Sequence, residues 1–112
     1  PRLVGLSVAS ELMMTGKFIN AERALKVNLV SEVVSEQELA NTAEQYIADM
    51  LATSPMGLRL TKDGLNLSVD APSLDAAMAL EDRQQALVAS SADAREAINA
   101  FLEKRTPSWK NQ

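Results

Sequence analysis

Paired carboxylates are the catalytic arrangement that this composition permits, because the 112 residues include no histidine and no cysteine. That absence excludes a Ser-His-Asp triad, a thiolate nucleophile, a Cys/His zinc site and a disulfide framework. The candidate pairs are Glu36 with Glu38 and Glu81 with Asp82. A catalytic pair requires a desolvated cleft that separates the two pKa values, whereas these acids fall at helix starts or on polar faces. We therefore predict no catalytic residue among them, and no spaced Asp run predicts a metal site.

Three cations near the end of the chain, Lys104, Arg105 and Lys110, could hold phosphate groups. An ammonium is a point-charge partner for phosphate, and a guanidinium is a bidentate one. The alternative is that Lys104 and Arg105 compensate the dipole at a helix C-terminus. The only tryptophan, Trp109, follows in a tail that we predict to be extended. It either anchors that tail on its own domain or docks on another subunit.

The elements that must position these residues are mainly helices, which we predict for about two thirds of the chain from caps, breakers and apolar spacing. The predicted starts and ends are Ser7 to about Thr15, Ala21 to about Val27, 36 to 52, a helix opened by Ser54-Pro55, Leu74 to about Ala89, and a helix opened by Ser90-Ser91-Ala92-Asp93 and ending in Lys104-Arg105. Ser35 and Glu38 have the spacing of a reciprocal capping box. Asn28 is predicted to be left-handed, and Gly64, on one predicted face with Leu67, suits a close helix contact. The β-branched run 29–34 is the single strand candidate, and it has no partner strand in this chain.

Charge and hydropathy exclude several classes of partner. Eleven basic residues against fifteen acidic residues give a net charge of -4, whereas nucleic-acid binding requires a basic surface. The apolar runs are far shorter than the roughly 20 residues that span a bilayer, and no signal peptide is visible. We therefore expect a cytoplasmic, soluble protein without nucleic-acid or membrane partners. The polar face with Glu81 and Gln85, together with the unpaired strand, also fits a helical oligomerisation module with no catalytic role.

The order of the segments resembles the crotonase family, the enoyl-CoA hydratases and isomerases. The resemblance rests on these runs: Pro1-Arg2-Leu3-Val4-Gly5-Leu6-Ser7, Glu11-Leu12-Met13-Met14-Thr15-Gly16, Ala21-Glu22-Arg23-Ala24-Leu25, Leu29-Val30-Ser31-Glu32-Val33-Val34, Asp93-Ala94-Arg95-Glu96-Ala97, Ala100-Phe101-Leu102-Glu103-Lys104-Arg105 and Pro107. It covers essentially the whole chain. Because members of that family are well over twice this length, it implies the C-terminal part of a longer protein.

The resemblance implies a fold that is mainly α as an isolated segment and that forms the end of an α/β spiral. Residues 1–34 would complete the spiral core, and residues 35–112 would form a helical oligomerisation region that builds trimers or hexamers. Strand 29–34 would then pair with the upstream core. Phe101 would pack at a helix interface.

The resemblance also implies the chemistry. The substrate would be an acyl-CoA thioester with no prosthetic group, and the reaction would use an oxyanion hole of two amides and two glutamates, all upstream of Pro1. The isolated chain is therefore expected to be inactive. Lys104 would reach the phosphates of coenzyme A. Gln84-Gln85 stand where some members carry an aromatic residue near the nucleotide, so no adenine contact is expected there.

Overall fold

We describe a computed structural model that covers residues 1–112, with 68% of them in helices and none in strands. None of the helices combines the length and apolar character that a membrane crossing requires. The six helices are α1 (Gly5–Thr15), α2 (Ala21–Lys26), α3 (Glu36–Leu51), α4 (Pro55–Ser68), α5 (Leu74–Ser90) and α6 (Ala92–Glu103). The predicted helical content is confirmed.

Contacts divide the chain into two compact units, Pro1–Ala43 and Glu44–Gln112. The first holds α1, α2 and the start of α3, and the second holds the remainder of α3 with α4 to α6. The division of roles expected at residue 34, spiral core before it and oligomerisation region after it, stays a prediction.

Helix α1 starts two residues before the predicted Ser7 cap, and that prediction was wrong. The residue before the helix is Val4, which makes no side-chain capping bond. The amide of Gly5 instead donates to the carbonyl of Pro1 at 2.8 Å, so a preceding turn leads into the helix. The predicted end is confirmed: Gly16 is left-handed, with φ of 63°, and its amide donates to Leu12.

Helix α2 begins and ends on asparagines. The side chain of Asn20 accepts a bond from the amide of Arg23 at 2.9 Å, which satisfies a free donor of the first turn. Asn28 is left-handed, with φ of 60°, as predicted. The amide of Leu29 donates to the carbonyl of Ala24 at 2.9 Å, and the Asn28 amide donates to Leu25 at 3.0 Å. These two bonds form a Schellman motif.

Residues 29–31 form bends and residues 32–34 have no regular secondary structure, so the predicted strand is absent. A strand needs a neighbour that pairs with its free N–H and C=O groups. The amide of Leu29 is instead bonded back to α2, and no other strand is present. The β-branched composition therefore favoured an extended segment without supplying the pairing that would make it a strand.

Helix α3 follows the predicted start at Ser35, but the capping bonds differ from a reciprocal capping box. The Glu38 carboxylate accepts from the Ser35 amide at 3.3 Å, as predicted. The Ser35 hydroxyl, however, donates to the same carboxylate at 2.7 Å. The Glu38 amide donates to the main-chain carbonyl of Ser35 instead, so only half of the predicted box is present.

Serine caps start helices α4, α5 and α6. The hydroxyls of Ser54, Ser73 and Ser91 accept bonds from the amides of Gly57, Ala76 and Ala94, respectively. The Ser91 hydroxyl also donates to the last turn of α5, so it joins the end of one helix to the start of the next. Helix α4 packs on α5, and α5 packs on α6.

The close α4–α5 contact occurs at the predicted glycine. Gly64 is buried, and a Cβ at this position would lie 2.7 Å from Oε1 of Gln84. The prediction that this glycine suits a close helix contact is confirmed, although Leu67, assigned to the same face, remains exposed. The neighbour across the contact is the side-chain amide of Gln84.

The chain buries little apolar surface of its own. Its buried apolar residues are Ala9, Ala24 and Ala100, and its largest fully buried side chain is Asp93. The accessible surface is 8984 Å², against about 6,000 Å² for a globular monomer of this mass. Exposed large side chains occur in both units, and they include Leu3, Leu6, Met13, Met14 and Phe18 in the first and Leu51, Leu65, Leu74, Phe101 and Leu102 in the second. These side chains are of the kind that folded proteins normally bury.

The tail after α6 folds back on the second unit and ends at the start of α6. Asp93 is 1% exposed, and its carboxylate accepts from the amides of Lys110 at 2.7 Å and Asn111 at 2.9 Å. In return, the main-chain carbonyl of Gln112 accepts from the amides of Ala92 and Asp93. These bonds satisfy donors of the first turn that have no partner within the helix.

We expect Asp93→Ala to lower the free energy of unfolding by about 2–3 kcal/mol, because it leaves two tail amides without their buried acceptor. The matched control is Asp75→Ala, since Asp75 occupies the same second position of α5 and is exposed. The control should change stability by less than about 1 kcal/mol. Urea unfolding of both variants measures the difference, and equal effects would contradict the role given to Asp93.

Candidate functional site

Lys104, the predicted phosphate ligand, follows the last residue of α6. Its side chain is exposed, and no ion pair within the chain includes it. An exposed ammonium that is not already paired is available to an anion from outside the chain. The position is therefore sterically and electrostatically open to a phosphate group.

The backbone of Lys104 has an uncommon conformation for a lysine. Its φ is 54° and its ψ is 40°, in the left-handed region. The amide of Arg105 donates to the carbonyl of Ala100 at 3.0 Å, and the Lys104 amide donates to Phe101 at 3.2 Å. Glycine is the usual residue at this position of a Schellman motif, since a side chain there costs about 1–2 kcal/mol.

Arg105 is exposed like Lys104, but its guanidinium is paired with acids of the same chain. Its guanidinium contacts both carboxylate oxygens of Glu96, with the second bond at 3.1 Å, and its Nε donates to Glu103. Glu96 also accepts from the amide of Ser108 at 2.8 Å. Hydrogen bonding from Arg105, and then from the Ser108 amide, lowers the pKa of Glu96 to about 2. The same carboxylates raise the pKa of Arg105.

The third predicted cation, Lys110, is held through its main chain by Asp93. The structure uses the three cations differently. Arg105 pairs with acids, whereas the side chains of Lys104 and Lys110 are both exposed and outside these ion pairs. Lys110 differs from Lys104 in that its main-chain amide holds the tail on Asp93. The helix-dipole alternative stays a prediction, because Lys104 is the C-cap residue of α6 and Arg105 follows it directly.

Trp109 anchors the tail on its own chain. Its indole Nε1 donates to the carbonyl of Leu51 at 3.1 Å, and its side chain is half-buried. That carbonyl belongs to the last turn of α3, where carbonyl groups have no helical partner. Arg59 adds a second link at 3.2 Å, from its guanidinium to the side chain of Asn111. Of the two roles predicted for Trp109, the structure shows the first.

A groove of about 460 Å³ lies between α4 and α5. Its polar lining includes Thr61, Ser68, Glu81, Gln84 and Gln85. The hydroxyl oxygen of Ser68 is buried without a hydrogen-bond partner. Gln84 faces Gly64 across the helix contact, so this glutamine serves helix packing.

The candidate carboxylates do not form a catalytic pair. The Glu38 carboxylate is used by Ser35, whose hydroxyl and amide bonds lower its pKa. Glu81 and Asp82 are both exposed, and Glu81 but not Asp82 lines the α4–α5 groove. No group of three acids, histidines or cysteines could hold a metal ion. The structural role predicted for Glu38 fits its contacts with Ser35, and the roles of Glu36, Glu81 and Asp82 stay predictions.

Sequence reasoning missed the parts played by Glu96 and Asp93. Asp93 was visible only as a capping residue, and nothing local showed that its partners lie 17 and 18 residues later. Glu96 pairs with Arg105 across nine residues, past the helix end. Such a pair has no helical spacing that would reveal it in the sequence.

A sequence model of the enoyl-CoA hydratase/isomerase family matches residues 1–112. The chain therefore belongs to the enoyl-CoA hydratase/isomerase family. It forms the helical C-terminal part of that fold, which confirms the resemblance and the fold class predicted from the sequence.

Individual relatives agree with this assignment. The chain is 35% identical to a short-chain-enoyl-CoA hydratase of Clostridium acetobutylicum over 93% of its own length and 40% of the relative's. It is 40% identical to a 1,2-epoxyphenylacetyl-CoA isomerase of Escherichia coli over 97% of its length and 41% of the relative's. The chain thus spans about two fifths of the curated relatives that it matches.

Solved structures show the same fold. The crystal structure of an enoyl-CoA hydratase from Bacillus anthracis superposes with a TM-score of 0.94 at 31% identity, over 100% of this chain and 43% of that one. An enoyl-CoA hydratase from Mycobacterium tuberculosis gives a TM-score of 0.91 at 28% identity, over 100% and 44% of the two chains.

The lowered pKa of Glu96 predicts a pH-dependent contribution to stability. Because the folded-state pKa of about 2 lies below the ordinary value of 4.5, the Glu96–Arg105 pair stabilises the protein fully above the ordinary pKa. The contribution is lost as the pH falls towards about 2. Glu96→Gln removes this titration. We expect the thermal midpoint of the native protein to exceed that of E96Q most above about pH 5 and to approach it near pH 2; a difference that does not change with pH would contradict the assignment.

Proposed function

We propose that the protein carrying this chain is an enoyl-CoA hydratase or isomerase that acts on acyl-CoA thioesters, by hydration of the 2,3 double bond in fatty-acid or related acyl-CoA metabolism. The observation that carries the proposal is the family match over residues 1–112, supported by a TM-score of 0.94 over the entire chain. The named relatives include both hydratases and isomerases of CoA thioesters.

In this proposal the groups that perform the chemistry lie outside residues 1–112. The described acids support this division of labour, because several are occupied by contacts within the chain. Glu11 pairs with Arg23 at 2.7 Å, Glu38 bonds Ser35, and Glu96 pairs with Arg105. An acid held at low pKa by a guanidinium is a poor proton carrier near neutral pH.

The chain would contribute to coenzyme A binding through Lys104. Its ammonium is exposed and takes no part in the ion pairs of the chain. Its backbone has a left-handed conformation, for which glycine is the favoured residue. A residue kept in a costly conformation is a candidate for a functional side chain. We assign that side chain to the phosphates of coenzyme A.

The chain would also contribute to association. Residues 35–112 would form the oligomerisation region of a trimer or hexamer, and residues 1–34 would complete the spiral core. The exposed apolar side chains support this role, since faces of that kind are normally covered by a partner or by more of the same polypeptide. Association is also what the non-catalytic alternative, a helical oligomerisation module, would use these faces for.

The first test measures hydration. We expect the full-length protein to remove the conjugated absorbance of an enoyl-CoA thioester, because water adds across the double bond. The isolated 112-residue chain should show no turnover. Turnover by the isolated chain would overturn the placement of the catalytic groups, and a full-length protein that associates without any turnover of CoA thioesters would favour the oligomerisation module.

The second test measures association. We expect the isolated chain to form oligomers, because it buries only three alanines as apolar core while its large apolar side chains remain exposed. Light scattering at high protein concentration measures the mass. A monomer under these conditions would contradict the proposed role.

A further inference from the structure

Three residues other than glycine have positive φ: Asn28, Lys104 and Asn111. Asparagine adopts this conformation more readily than most residues, because its short side chain can bond locally. Lysine has no such advantage. The backbone at Lys104 must therefore be held in place by its surroundings.

The residue that follows provides that restraint. The amide of Arg105 closes the Schellman motif on Ala100, and its guanidinium bonds both oxygens of Glu96 as well as Glu103. Glu96 lies two turns back in α6 and also accepts the Ser108 amide from the tail. Glu96 thus ties Arg105 to helix α6, and the bond from the Ser108 amide ties Glu96 to the tail.

Lys104 itself takes no part in this network. Its side chain is exposed, and the ion pairs of the segment belong to Arg105. The two adjacent cations therefore have separate roles. Arg105 orders the backbone through its ion pairs, and the ammonium of Lys104 takes part in none of them. A lysine could not replace Arg105 in this role, because an ammonium cannot form the bidentate fork.

We propose that the Glu96–Arg105 pair is a positioning device that fixes Lys104 in its left-handed conformation and so directs its ammonium to the phosphates of coenzyme A. The proposal rests on the proposed function, in which Lys104 contacts those phosphates. Glu96 and Arg105 act through Lys104 and do not touch the substrate. Their effect should therefore appear in recognition of the nucleotide and not in the chemical step.

The test uses the full-length protein and two substrates, an enoyl-CoA thioester and the corresponding enoyl-pantetheine thioester, which lacks the nucleotide phosphates. Glu96→Gln should raise KM for enoyl-CoA by about 3- to 10-fold, as expected when a charge-assisted contact is weakened. It should leave kcat within about twofold and KM for the pantetheine substrate unchanged. The matched control is Glu11→Gln, which removes the carboxylate from the exposed Glu11–Arg23 pair of the other compact unit and should leave both KM values unchanged.

A double-mutant cycle separates positioning from independent contributions. Lys104→Ala should raise KM for enoyl-CoA at least as much as E96Q does, and the double variant should be no worse than Lys104→Ala alone, because Glu96 acts only through Lys104. Additive effects, or an E96Q effect of equal size on both substrates, would overturn the positioning role.

The variant Lys104→Gly tests whether recognition of the nucleotide needs the Lys104 side chain and not only a relaxed backbone at this position. Glycine relieves the left-handed backbone, so K104G should raise the thermal midpoint above that of K104A by about 2–4 °C. Both variants should nevertheless lose recognition of the nucleotide equally. If K104G instead restored the native KM for enoyl-CoA, the side chain would not be the ligand and the proposal would fail.

The outcomes distinguish the two proposals. If K104A weakens enoyl-CoA recognition and E96Q does not, the positioning device is wrong and the proposed function stands. If K104A has no effect on enoyl-CoA, both the phosphate contact and the positioning device are wrong. If the full-length protein neither turns over nor binds CoA thioesters, the proposed function itself fails.

Discussion

The free N–H and C=O groups at the helix ends are the constraint on which the rest of this chain depends, because each needs a partner when water is excluded. At several helix starts a side-chain oxygen accepts a bond from a free amide: Asn20 caps α2, and serines cap α4 to α6. The tail serves two further ends: Gln112 accepts from the first turn of α6, and Trp109 donates to the last turn of α3. Hydrogen bonds at helix termini therefore organise much of the second unit.

The chain buries less apolar surface than its many polar contacts at the helix ends would suggest for a folded domain. The buried apolar residues are small, and the largest fully buried side chain is the carboxylate of Asp93. Helices gain most of their stability from packing an apolar face, and large apolar side chains are exposed in both units of this chain. The chain spans 40–41% of the length of the two relatives described above.

The end of α6 departs from the local rules that the other ends obey. Gly16 and Asn28 end α1 and α2 with residue types that suit a left-handed conformation, whereas Lys104 ends α6 with one that does not. Departures of this kind are expected where function competes with stability. The bidentate Glu96–Arg105 pair, tied to the tail through Ser108, offsets the unfavourable backbone.

The sequence alone predicted the helices, including the starts at Ala21, at Ser54-Pro55 and at Leu74, and the family, because these depend on local spacing and on runs of residues that can be read directly. It failed at 29–34, where β-branched residues lack a pairing strand, and at Ser7, where a turn from Pro1 starts the helix earlier. Only the tertiary structure showed that Arg105 is paired with acids whereas Lys104 is not, and that Asp93 holds the tail. Those roles depend on partners 9 to 18 residues away, and such contacts are fixed by the folded path of the chain and not by local spacing.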